Sequence, residues 1–163
     1  MKIEKWNEKS ARVLDTMINR ENVRYFQRDD GVIFSDKYGF WFMFSAGSRV
    51  MRWRVEEDTR VIPALDDHYN KAINSNGVLA DTFCSGYFTN WPYKIVKLSN
   101  DNTTVYAQEK FTRMFPKNAL YYIESANAPV VVGIWEKGLL HVIGVIMPIN
   151  KMYRDFIPAE NNI

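Results

Sequence analysis

The sequence predicts an α+β domain built on mostly antiparallel sheet with two helices. Three observations predict it. Short stretches rich in Val, Ile, Phe, Tyr and Trp follow one another through tight turns at 23–44, 93–108 and 119–147, the pattern of hairpin-linked strands. Strands outnumber helices and do not alternate with them, which argues against a parallel βαβ arrangement. The chain has 163 residues, of which 47% are hydrophobic and 15% aromatic, enough large apolar surface for one core. Residues 1–158 therefore read as a single domain and 159–163 as a frayed tail.

Residues 3–20 read as an amphipathic helix, with Trp6, Val13, Leu14, Met17 and Ile18 at helical spacing and Lys5, Glu8, Lys9 and Arg12 on the other side. Strand patterns at 23–27 and 32–34 flank Arg28-Asp29-Asp30-Gly31, where Asp-Gly supplies the positive φ that a hairpin turn needs. A second turn at 35–39 leads into 40–44, and 50–56 alternates again, with Arg52 and Arg54 opposite Met51, Trp53 and Val55. Pro63 near a first turn, followed by Leu65, Tyr69, Ala72 and Ile73, predicts a second helix over 63–74. Residues 75–93, with Asn76-Gly77, Ser85-Gly86 and Trp91-Pro92, read as loop with one short strand. A hairpin follows, 93–98 and 103–108 around Asn100-Asp101-Asn102, then a short helical turn at 109–115 ended by Pro116. Three closing strands are expected at 119–124, 130–135 and 139–147.

Charge and composition narrow the function classes. Lys and Arg number 21 against 19 Asp and Glu, a formal net charge of +2, so no broad electropositive field is expected. A single cysteine, Cys84, excludes an intramolecular disulfide. The charged N-terminus lacks the apolar core of a signal peptide, and no apolar run is long enough to span a bilayer. The expectation is a cytoplasmic protein with no membrane partner. No phosphate-binding glycine loop is present, and Asp66-Asp67-His68 does not converge as a ligand set on a helix. Asp29 and Asp30 read as turn formers, and Cys84 as a small apolar filler. No catalytic residue, cofactor or metal is therefore expected.

Two segments suggest a partner. In Arg49-Val50-Met51-Arg52-Trp53-Arg54 the arginines share a strand face beside an aromatic, a pattern that can track nucleic acid but more often marks an ion-paired sheet face. Phe88, Trp91, Pro92 and Tyr93 lie in loop-like sequence, where aromatics can anchor a partner but more often fold back onto the core.

Two stretches also resemble bacterial DNA sliding clamps. The 32–40 segment, with Ser35-Asp36 and Tyr38-Gly39, resembles a clamp turn. Asn127-Ala128-Pro129-Val130-Val131-Val132 followed by 140–146 and Met147-Pro148-Ile149 resembles the hairpin that closes a clamp domain. Lys37 and Asn150 depart from that pattern, and the chain has room for one of the six domains of a ring. The resemblance implies a clamp-like single domain that either self-assembles as a homo-oligomer or no longer encircles DNA, with replication proteins as partners; the compact form suggests a replication accessory of a phage or mobile element. It implies double-stranded DNA contact through phosphates by Lys5, Lys9 and Arg12, or by Arg52 and Arg54. It places a partner-peptide cleft at Met147, Pro148 and Ile149, although Met147 by itself reads as the end of a buried strand. The function expected is thus a non-enzymatic binding or scaffolding domain. The alternative is a small-molecule-binding or enzymatic domain, its pocket lined by aromatics such as Trp41, Trp53 and Trp91 with His68 or His141 as polar group. A third is a structural homo-oligomer, suggested by the aromatic load.

Overall fold

The computed structural model describes residues 2–17, 23–36, 38–44, 64–88, 93–149 and 156–158. The expected strand at 50–56, with Arg52, Arg54 and Trp53, lies outside these residues, as do Trp91 and the tail 159–163.

The chain folds as an α+β domain with extensive antiparallel sheet. In order, the elements are α1 (Ile3–Met17), β1 (Arg24–Arg28), β2 (Gly31–Asp36), β3 (Gly39–Phe44), α2 (Ala64–Ile73), β4 (Val78–Leu79), β5 (Thr82–Phe88), β6 (Ile95–Ser99), β7 (Thr104–Gln108), α3 (Glu109–Thr112), β8 (Leu120–Ile123), β9 (Val130–Glu136), β10 (Leu139–Ile146) and β11 (Phe156–Pro158). Seven strands form one sheet in the order β1-β2-β3-β10-β9-β8-β4, and four form a second in the order β11-β5-β6-β7.

Most elements form where the side-chain pattern puts them. The β1–β2 turn is Asp29-Asp30, one residue before the expected Asp30-Gly31: Gly31 pairs with Arg28 as the first residue of β2, and neither Asp30 nor Gly31 takes the positive φ expected of an Asp-Gly turn. The β9–β10 hairpin closes on Lys137 (φ 52°) and Gly138 (φ 77°), the pair of positive φ values that a two-residue type I′ turn requires. Asn100 Oδ1 accepts from the amides of Asn102 (3.0 Å) and Thr103 (2.9 Å), closing the β6–β7 turn.

Two differences from the sequence expectation stand out. A third helix, the four residues of α3, occupies the start of the expected helical turn. The 75–93 stretch carries a two-residue strand and the seven-residue β5 instead of mostly loop. β5 shows no alternation because Thr82, Phe83, Cys84 and Tyr87 are all exposed. Its order comes from pairing with β6 and β11, a tertiary cause that no local pattern reveals.

The seven-stranded sheet has two faces. On one, Trp6 and Leu14 of α1 pack with Val32, Phe34, Trp41, Val130, Val132 and Ile134, and with Val96, Leu98, Val105 and Ala107 of the second sheet. This cluster joins both sheets in one core. Trp6 Nε1 donates to the Phe42 carbonyl (2.7 Å), and the Asn7 amide both donates to the Phe44 carbonyl (2.7 Å) and accepts from its N–H (2.8 Å). Those three bonds fix α1 along β3. On the other face, Leu65, Tyr69 and Ala72 of α2 pack against Ile33, Phe40, Phe42, Val131, Val142 and Val145. Arg28 ties α2 to β1: its guanidinium meets the Asp66 carboxylate, donates to Asn70 Oδ1 (3.0 Å) and Asp30 Oδ1 (2.8 Å), and lies 4.7 Å from the Tyr69 ring centre.

Candidate functional site

Ten residues of helix cannot roof seven strands. At 1.5 Å per residue α2 is roughly 15 Å long, and among the described residues it is the helix that packs on this face, over the start of β3 and the end of β10. A cavity of about 630 Å³ opens there, between α2 and the sheet. That is within the range of roughly 300–1,000 Å³ found for small-ligand pockets.

Its floor is apolar. Phe40 from β3, Val145 from β10 and Val131 from β9 point into it, beside Leu65 and Ala72 of α2. All five are buried. Alternation along the strands puts these side chains on one face, while their neighbours Trp41, Ile146 and Val132 turn to the other core. Ala64, His68, Lys71 and Ser75 also line the cavity, a stripe at i, i+4, i+7 and i+11 on α2 and its C-terminal exit.

The polar rim divides into groups already engaged and groups that are not. Asp36 Oδ1 accepts from the amides of Tyr38 (2.8 Å) and Gly39 (3.1 Å), so it holds its own turn. Ser35 Oγ reaches the Gly39 carbonyl (2.6 Å), and Ser75 Oγ accepts from the Gly77 amide (3.0 Å). Arg24 donates to the Val23 carbonyl (3.1 Å). His68, Lys71 and Glu124 also line the cavity and are exposed. None of the three has a hydrogen bond or ion pair among the described residues.

The residues singled out in the sequence are dispersed. Lys5, Lys9 and Arg12 share a stripe of α1, and Lys5 and Arg12 are exposed there. Lys9 is half-buried and donates to the carbonyls of Phe115 (2.7 Å) and Arg113 (3.2 Å) just beyond α3. Burial pushes its ammonium below the ordinary lysine pKa. Arg52 and Arg54 lie outside the described residues. Met147 is not the end of a buried strand: β10 stops at Ile146, and Met147 is 44% exposed at the cavity rim. The cause is a crossing, since the Met147 amide donates to the Tyr38 carbonyl (2.8 Å) and the Ile149 amide to the Tyr106 carbonyl of β7 (2.8 Å). Through those two bonds Met147, Pro148 and Ile149 carry the chain from one sheet to the other. Pro148 and Ile149 are half-buried and line no part of the cavity.

Of the aromatic-pocket residues, Trp41 belongs to the opposite core, stacked 5.5 Å from Phe34. His141 meets the Phe44 ring edge-on at 5.7 Å, away from the cavity. His68 does line it, but the aromatic partner there is Phe40 among aliphatic side chains. Phe40, Val131, Val145, Lys71 and Glu124 are not among the candidate site residues that the sequence offers; the signal for Lys71 is its place four residues before Ser75, on the stripe of α2 that lines the cavity. Cys84 is exposed on β5. No group of His, Cys, Asp and Glu among the described residues could hold a metal ion, and no helix among them is long and apolar enough to cross a membrane.

No family model, curated protein or solved structure matches the chain.

Proposed function

We propose that the chain is a binding module and that its binding element is the cavity between α2 and the seven-stranded sheet. One observation carries the reading: an apolar floor of buried side chains lies under an open rim whose His68, Lys71 and Glu124 have no partners among the described residues. Apolar walls with a few convergent polar groups are what small-molecule sites consist of. The ligand is a small amphipathic molecule, its apolar part on Phe40, Val131 and Val145.

A titration with Nile red, an uncharged solvatochromic dye, tests this. Saturable, blue-shifted emission is expected with the wild-type chain. The Ala64→Trp variant, which places a large ring at an exposed lining position, should lose most of it while keeping its unfolding midpoint. No saturable binding by the wild type, or equal binding by Ala64→Trp, overturns the reading.

A second reading is DNA contact along α1 in a clamp-like assembly, favoured by the exposure of Lys5 and Arg12 on one stripe. Glu4, Glu8 and Asp15 are exposed on the same helix, and Lys9 between the two cations is turned to carbonyls. Light scattering with double-stranded DNA at low and physiological salt decides it. A closed oligomer or a steeply salt-dependent complex supports the clamp-like reading, and a monomer indifferent to DNA removes it.

A further inference from the structure

The cavity's rim carries a charge pattern that narrows the ligand class, an inference that rests on the binding reading above. β4 pairs antiparallel with β8, Val78 opposite Ile123. Continuing that register sets Glu124 opposite Gly77, two residues past Ser75. Lys71 is one helical turn before Ser75. Lys71 and Glu124 thus flank one end of the cavity, both line it, and no ion pair joins them. His68 stands one turn further along the same stripe. The other charged rim groups are Arg24 and Asp36, one of each sign, at the β1–β2 end. A cation and an anion that face the same apolar cavity without bonding each other leave a donor and an acceptor open to a third molecule.

We infer that the cavity takes a small zwitterion with a large apolar side chain, a free α-amino acid of the phenylalanine or leucine type. Its carboxylate meets Lys71 and the His68 ring N–H. Its ammonium meets Glu124. Its side chain lies on Phe40, Val131 and Val145. A ligand with only one of the two charges makes one of the two charge-assisted bonds and leaves the other exposed group to water. The zwitterion satisfies both.

The test is displacement of bound Nile red from the full chain by three probes: L-phenylalanine, N-acetyl-L-phenylalanine, which lacks the ammonium, and L-phenylalaninamide, which lacks the carboxylate. Phenylalanine is expected to displace the dye at concentrations about tenfold lower than either capped form, the size of one charge-assisted hydrogen bond. Lys71→Gln should weaken phenylalanine and leave phenylalaninamide unchanged. Glu124→Gln should weaken phenylalanine and leave N-acetylphenylalanine unchanged. Both positions are exposed, so these variants fold. Equal displacement by all three probes, or displacement by none while Nile red still binds, overturns the zwitterion and leaves the cavity reading standing. Failure of Nile red to bind removes both.

Discussion

The two faces of the seven-stranded sheet are built by the same strands and are covered to different degrees. Val130, Val132 and Ile134 of β9 turn to the face closed by α1 and the second sheet. Val131, between them, turns to the face under α2, where a cavity remains. The difference teaches that a period-two pattern divides one strand between two tasks. Among the described residues, a face covered by fifteen residues of helix and a second sheet holds the fold, and a face covered by ten residues of helix is left with room for a ligand. Four expectations test that division from its strongest point downward.

The largest effect belongs to the closed face. Trp6 is fully buried, stacked 5.6 Å from Phe115, with its indole N–H on the Phe42 carbonyl. Trp6→Ala removes a large ring and leaves that carbonyl unpaired, so a loss of about 3–5 kcal/mol is expected, read by urea unfolding. Trp6→Phe keeps most of the ring and should lose clearly less. Equal losses for the two would mean that the hydrogen bond, not the packing, anchors α1.

Next comes the α2 side, where the helix does pack. Tyr69 lies 4.3 Å from Phe42, ring centre to ring centre, and is 5% exposed. Burial first, and then the Asp30 charge, push its hydroxyl up to about 12, against the lowering effect of Arg28. The raised value means that the folded state holds the proton longer than the unfolded chain, whose tyrosine ionises near 10. The stabilisation is therefore whole below about pH 10 and is lost as pH rises through about 12. Tyr69→Phe should flatten the alkaline loss of stability by about 2–3 kcal/mol over that window. Tyr121, also held at about 12 by burial, should behave likewise when changed to Phe. A Tyr69→Phe curve parallel to wild type between pH 10 and 12 would show that the helix does not seal this half of the face.

How much of this was legible follows from the range of each cause. Local causes were readable. Trp6, Leu14 and Met17 repeat at helical spacing, and all three are buried. Lys137-Gly138 sits between two strand patterns and turns as expected. Causes that depend on distant neighbours were not. Lys9 looked like a solvated cation because nothing near it in sequence discloses the Phe115 carbonyl. Lys71 and Glu124 share a cavity end only because a two-residue strand, too short to leave a pattern, pairs with β8. The floor needs β3, β10 and β9 to become neighbours, which alternation in each strand permits and does not specify.

A smaller effect tests the bulge that sets the phase of β10. Val142 pairs with Gly133 and Gly144 with Val132, so Ile143 is the extra residue. A Cβ on Gly144 would stand 2.5 Å from the Phe40 carbonyl and 2.6 Å from the Phe115 ring. Phe115 belongs to the closed core, so the bulge turns Gly144 toward that core and lets Val145 face the cavity. Gly144→Ala should lose about 2 kcal/mol through overpacking, measured by thermal unfolding. A neutral outcome would mean that the closed face has slack and that the two faces differ less in packing.

The smallest effect is the sharpest test, because it compares two identical side chains one residue apart. Val132 is fully buried in the closed core, while Val131 is 6% exposed and borders the cavity. Each Val→Ala change removes the same two methyl groups, about 1.5 kcal/mol of transfer free energy. At Val132 the vacated volume is walled on all sides by packed side chains, so a term for a new cavity is added. At Val131 the vacated volume merges with space already open beside it, and few dispersion contacts remain to be lost. Val132→Ala should therefore be the more destabilising by about 1 kcal/mol, with both measured by urea unfolding in the same buffer. Saturating ligand should narrow the gap between them, because Val131 then gains the packed neighbour that Val132 has always had, and truncating it weakens binding as well. If the two losses are equal without ligand, the second face is closed and the division of the strand fails.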